Sequence, residues 1–293
     1  MILKKHSGWR RWHSTIINLA SVFALLMAVS FLPADTSLSH VRDSGVLKFC
    51  VPEHYPPFVT GNPDKPGYDI ELADAIAKRI GVRLIVNTVP TIGRDFNPRN
   101  WMVTRGQCDM LGGGVADTAR TRNFMQTVPT HIRVGWMLLS PDSQMPAAGS
   151  AIVVMPGSSG LDRLALSGWL RRNELRPIMA SGFGDELAAV EVGRAAGLIA
   201  ENFTACGLLK NSKHQPPLKA EWLPLPNPKV EDSIDSLAFS LWKGDLTLKQ
   251  AVEHAMQNIE SDGVTDKLRD IYLGGSDRCQ NVVAENKTIE PIK

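Results

Sequence analysis

Three consecutive stretches decide the fold: VLKFCV at Val46–Val51, PGYDIELADAIAKRIG at Pro66–Gly81, and VRLIVNTV at Val82–Val89. The first is a short apolar run after Asp43-Ser44-Gly45 and reads as a buried strand. In the second, Ile70, Leu72, Ala73, Ile76, Ala77 and Ile80 fall on one helical face, and Gly81 stops the helix. The third is rich in β-branched residues. Strand, helix, strand is a βαβ unit, which implies a parallel sheet and an α/β protein. Between the first strand and the helix, the two prolines of His54–Phe58 (HYPPF) deny that segment both helix and ladder.

The same pattern runs outward along the chain. Met110-Leu111 is a strand entering a glycine turn, Gly112-Gly113-Gly114, and His131–Leu139 reads as one further strand. Ser140–Ser150 is a polar connector bearing proline and glycine. After it the alternation restarts: strand 151–155, helix 159–172, strand 177–180, helix 184–195, strand 197–200 and helix 202–210. Gln215–Pro228 is proline-rich and reads as a rigid, polar segment outside the core. Asp235–Leu241 alternates like a strand, and helices over 246–259 and 265–272 close the chain. Two α/β lobes of about 100 residues each follow, within the usual domain size range.

Composition narrows the function. Of 293 residues, 43% are hydrophobic and 21% charged, which is ordinary for a globular protein and excludes a disordered or fibrous chain. The net charge of +2 is concentrated at the N-terminus. Residues 1–34 carry Lys4, Lys5, Arg10 and Arg11 and no acid, leaving 28 basic against 30 acidic residues elsewhere. That balance, with only 6% aromatic residues, provides no footprint for nucleic acid. The basic start leads into the apolar run Ile16–Leu32 and then Pro33-Ala34-Asp35, the order of a secretory signal peptide over 1–34. A retained single-span anchor is the alternative. Export makes Cys50, Cys108, Cys206 and Cys279 free to oxidise, and their spacing has no metal-ligand pattern.

In order, these motifs resemble the extracellular solute-binding proteins of family 3, the periplasmic receptors of polar amino-acid ABC importers. The likeness is carried by Gly45–Val51 with Tyr55-Pro-Pro-Phe58, by Gly67-Tyr-Asp-Ile-Glu-Leu-Ala, and by Gly106-Gln-Cys-Asp109 running to Thr118-Ala-Arg120. Pro156-Gly-Ser-Ser-Gly160 and the closing segments Ser240–Asp245, Ser261-Asp-Gly263 and Asp266-Lys-Leu268 complete it. The resemblance implies a two-lobed, type II periplasmic-binding-protein fold whose lobes are joined by two crossover strands and close over a small solute. The first lobe would comprise 35–140 and 235–293, and the second 141–234. The expected partners are that solute and an ABC permease in the inner membrane, the protein being periplasmic and monomeric, with no cofactor and no catalytic set.

The site residues follow from the same likeness and from their chemistry. Arg120 falls at the family's carboxylate clamp, where a guanidinium fork holds a carboxylate by two parallel bonds. Ser158 and Ser159 precede a helix and would offer hydroxyls and free amides to an anion, or simply cap it. Glu201 stands where the family usually has an aspartate facing the ligand's ammonium. Tyr55 and Phe58 would wall the pocket, and the Gly113 backbone would contact the solute although the family's hydroxyl residue is missing there. Asp69 reads as structural.

Two further readings remain open. Cys50, Gly-Gln-Cys108-Asp109, Gly93–Phe96 and Arg99-Asn100 also resemble solute-binding-like proteins associated with periplasmic quinoprotein (methanol-type) dehydrogenases, which implies an accessory role. A cyclohexadienyl-dehydratase-like enzyme, using Glu201 as an acid, is a minor alternative. Four cysteines allow three pairings. Cys50 lies on the first strand and Cys108 just before its expected neighbour, and the accessory branch resembles this chain at both positions, so Cys50–Cys108 is the expected bridge. Cys206–Cys279 is left by elimination.

Overall fold

The computed structural model describes residues 8–30, 35–92, 98–141, 145–155, 161–180, 186–211, 218–223, 225 and 235–273. The chain divides into two units, Met1–Thr36 and Ser37–Lys293. The first holds helix α1 (Gly8–Ser30), which takes in most of the apolar run expected at 16–32. Among the described residues no helix is long and apolar enough to cross a membrane.

The second unit contains two five-stranded sheets. In the first, β1 (Val46–Val51) lies between β2 (Arg83–Thr88) and β3 (Met110–Leu111), parallel to both. Helix α3 (Tyr68–Ile80) makes the crossover from β1 to β2, burying Leu72, Ala73, Ile76, Ala77 and Ile80. Gly81 ends it at φ 90°, a left-handed conformation that costs glycine little, and its N–H closes on the Ala77 and Lys78 carbonyls. Strand β10 (Asp235–Trp242) returns antiparallel between β3 and β4 (Met125–Val134). Before β1, helix α2 (Ser37–Ser44) is tied by Ser37 and Leu38 to Thr247 at the start of α8 (Leu246–Ser261), and α9 (Val264–Tyr272) follows.

The second sheet has the order β7-β6-β8-β5-β9. It is built from β5 (Trp136–Ser140), β6 (Ala151–Val154), β7 (Arg176–Met179), β8 (Gly197–Glu201) and β9 (Lys219–Trp222). Helices α5 (Arg163–Arg172), α6 (Glu186–Glu191) and α7 (Asn202–Asn211) connect them.

Four sequence expectations change. The single strand foreseen at 131–139 is two strands parted at Gly135, and β5 pairs with β8 and β9 of the second sheet. The passage between sheets therefore falls at Gly135, not after Ser140. The span 215–228 is not purely external: β9 forms inside it, and Leu218, Leu223 and Leu225 are buried. An edge strand paired on one side only tolerates neighbouring prolines. Helix α5 begins at Arg163 instead of Ser159, because the Asp162 carboxylate caps it by accepting the Leu164 and Ala165 amides, both at 2.9 Å. Helix α6 is described only from Glu186 and ends at Glu191, short of the expected 195.

Candidate functional site

The loop after β1 carries two aromatic rings toward the second sheet. Tyr55 and Val59 exchange backbone hydrogen bonds of 2.8 and 2.9 Å, which folds the intervening prolines into a compact turn with a cis Pro56–Pro57 bond. Tyr55 stacks on Phe58 with ring centroids 5.4 Å apart. Phe58 is fully buried and meets Phe203 of α7 edge-on at 4.7 Å. Beside that contact the Tyr55 hydroxyl donates to Oε1 of Glu201, the last residue of β8, which is also fully buried. Tyr55, Phe58 and Glu201, singled out separately in the sequence, thus meet where elements of the two sheets touch. Glu201 lies at the carboxyl end of a strand in an open α/β sheet, the usual location of a ligand crevice.

Behind the loop, Gly112-Gly113-Gly114 is a site of close approach. A Cβ on Gly114 would lie 2.2 Å from the Tyr55 ring, and one on Gly113 2.2 Å from Pro52, while both residues hold positive φ. Side chains are excluded here by crowding, which explains the missing hydroxyl residue. The Gly113 N–H donates to Oδ2 of Asp69 at 2.8 Å. Asp69, itself buried, thus ties the start of α3 to the glycine turn after β3. Burial pushes the Asp69 carboxyl up to about 7, against the opposing pull of the Gly113 and Gly114 amides.

Arg120 lies half-buried in the first turn of α4 (Ala119–Phe124), a helix capped by the Thr118 hydroxyl accepting the Thr121 amide. Its neighbour Arg122 is exposed and paired with Asp117 at 2.8 Å. Ser158 and Ser159 lie outside the described residues. At the start of α5, the Asp162 carboxylate accepts the Leu164 and Ala165 amides.

Three residues not marked by any motif belong to the same place. Phe203 supplies the opposing ring. Trp136 stands directly opposite Glu201 in the β5–β8 ladder. Asn202, next to Glu201, clips the passage between sheets: its Nδ2 donates to the Arg133 carbonyl at 3.2 Å, and its Oδ1 accepts the Gly135 N–H at 3.3 Å. Its own backbone N–H donates to the Gly135 carbonyl at 3.0 Å.

Cys50 and Cys108 form a disulfide with Cα atoms 5.6 Å apart. The parallel register explains it, because Cys50 pairs with Leu111 and Phe49 with Met110, so Cys108 lies just ahead of the ladder. Cys206 is disulfide-bonded, and its expected partner Cys279 lies outside the described residues. Among the described residues no group of three or more His, Cys, Asp or Glu could hold a metal ion.

Two α/β sheets meeting at a buried carboxylate and a set of aromatic rings define a two-lobed binding protein of the type II periplasmic-binding-protein fold. Residues 47–275 match the model of the bacterial extracellular solute-binding proteins, family 3, and the chain belongs to that family. A membrane-bound lytic murein transglycosylase F of Stutzerimonas stutzeri is 24% identical over 271 residues, 89% of this chain and 53% of that protein. A cyclohexadienyl dehydratase of Pseudomonas aeruginosa is 28% identical over 85 residues, 28% of this chain and 32% of that protein. The chain thus spans about half the length of the first and about a third of the second. Among solved structures, an ABC uptake transporter substrate binding protein from Streptococcus pneumoniae with bound histidine is similar, with a TM-score of 0.64 at 17% identity, covering 83% of this chain and 97% of that one.

Proposed function

We propose that this protein captures a small polar amino-acid-like or carboxylate solute between its two lobes and delivers it to an ABC permease in the inner membrane. It works in the periplasm as a monomer after export on its N-terminal segment, without a cofactor and as a binder instead of an enzyme. The observation that carries this reading is the Tyr55–Glu201 contact, where a buried carboxylate of one lobe meets an aromatic hydroxyl of the other. A site of that kind offers a charge for an ammonium and ring surface for an aliphatic part. Arg120 is assigned to the solute's carboxylate, and Ser158 or Ser159 to an adjoining polar group. The lobes that go with this reading divide at Gly135, the first also taking in the chain from Asp235 onward.

Thermal-shift screening of the purified protein against amino acids and small carboxylates tests it. A cognate solute at a hundred times its Kd adds about 2.7 kcal/mol of stability. Stabilisation by none of them would count against the reading.

The Cys50–Cys108 disulfide favours one second reading, an accessory protein of a periplasmic quinoprotein dehydrogenase, since that branch resembles this chain at both cysteines. Co-purification with such a dehydrogenase, and indifference to the solute panel, would select it. Turnover of a bound solute with loss of water would select the cyclohexadienyl-dehydratase-like alternative, for which buried Glu201 is the candidate acid.

A further inference from the structure

We propose that Trp136 is a solute-contacting residue, its indole N–H donating to a carboxylate or carbonyl oxygen of the solute beside Glu201. The inference deepens the binding reading above and rests on it. Trp136 is the first residue of β5 after the passage at Gly135, and its Cα partner across the ladder is Glu201. Directly opposed residues of an antiparallel pair project from the same face, with Cβ atoms roughly 4.5–5.5 Å apart. On that face Glu201 receives the Tyr55 hydroxyl from the other lobe, so Trp136 shares the face turned toward the first lobe.

Trp136 is 3% exposed, and its Nε1 has no hydrogen-bond partner among the described residues. An indole nitrogen can only donate, and a buried one usually finds an acceptor. This fold satisfies another tryptophan in the ordinary way, the Trp242 indole donating to the Cys108 carbonyl at 2.7 Å. Among the described residues, the other buried polar side-chain atoms without partners, on Tyr68, Asp69 and Ser240, belong to α3 and β10 of the first lobe. Trp136 alone among them stands on the ladder that holds Glu201. A buried unmet donor is costly unless a ligand supplies its acceptor.

A donor and a carboxylate on one face complement a zwitterion. The solute's ammonium would face Glu201, and an oxygen attached within a few bonds of it would face Trp136. A plain amine offers no such oxygen and a plain acid no cation, so the substrate class narrows to small α-amino acids and closely similar zwitterions.

The test pairs the amino acid that stabilises the protein most with its decarboxylated amine, measured by calorimetry on wild type and Trp136→Phe, which keeps a ring and deletes the N–H. We expect the amino acid to weaken about tenfold and the amine to change less than about twofold, while the unliganded melting temperature is held or raised. Equal changes for the two solutes, or none for either, would overturn the proposal. A second measurement needs no variant: the Trp136 indole N–H resonance of the wild type should move downfield on saturation with the amino acid. A resonance that stays in place also overturns it. A wild type that binds no member of the panel overturns the binding reading and this inference together, whereas normal wild-type binding with an indifferent indole overturns this inference alone.

Discussion

The hydroxyl of Tyr55 donates to the carboxylate of Glu201, 146 residues further along the chain and on the opposite lobe. Each partner is held from behind. The Tyr55 ring rests against the backbone of Gly114, and the residue after Glu201 clips both sides of the inter-sheet passage through its side-chain amide. Glu201 is therefore one residue away from the side chain that clips the chain at Gly135, where it passes from one sheet to the other. Hinge closure about a few element-terminal residues is the usual motion of such lobes.

Removing the Cys50–Cys108 bridge by a double replacement with alanine should destabilise the protein by about 4 kcal/mol, the chain-entropy estimate for a loop of 58 residues. Denaturant unfolding of the two forms measures it. Loss of less than about 1 kcal/mol would mean that the unfolded chain is not constrained by this link.

Asp69 should make stability fall as pH rises. Its carboxyl titrates near 7 when folded and near 3.8 in an unfolded chain, so between those values the folded state binds the extra proton. Its contribution is complete below about 4 and lost as pH passes 7. Asp235, raised to about 6 chiefly by burial and secondarily by Asp117, adds a slope of the same sign over a narrower window. Asp69→Asn should remove the larger part of the slope between pH 4 and 7; an unaltered profile would contradict the assignment.

Gly114→Ala should cost roughly 2–4 kcal/mol, because its Cβ would meet the Tyr55 ring at 2.2 Å and its φ of 92° is strained for alanine. Since the ring must move, solute affinity should fall as well. A melting temperature equal to that of the wild type would show that the loop relaxes freely.

Arg120→Ala should weaken a carboxylate-bearing solute by about 2–5 kcal/mol, the cost of leaving a desolvated carboxylate without its partner. Calorimetry returning an affinity within about twofold of the wild type would remove Arg120 from the clamp.

The parts of the fold legible in the sequence are those set by local periodicity. The unit β1–α3–β2 could be read because one apolar stripe and one glycine stop determine it within a few residues. The Cys50–Cys108 bridge was accessible because parallel neighbours in a βαβ sheet are foreseeable. The passage at Gly135 was hidden, since Val134-Gly135-Trp136-Met137 is one apolar run whether or not the chain changes sheet. For the same reason Trp136 and Asn202 escaped notice: their importance comes from partners on other strands. The start of α5 was misplaced by four residues because serine and aspartate are interchangeable caps by propensity. The hydrogen bond from the Gly113 amide to buried Asp69 was equally hidden, because tertiary packing alone sets it.

In the proposed binding reaction, Glu201 accepts the solute's ammonium between the lobes. Calorimetry on wild type and Glu201→Gln, with the cognate amino acid and the matching deaminated acid, measures this in one series. Gln keeps the shape and removes the charge, so the amino acid should weaken at least about tenfold while the deaminated acid changes less than about twofold. Equal losses for both solutes would contradict the account, because Glu201 would then hold the lobes together without facing an ammonium.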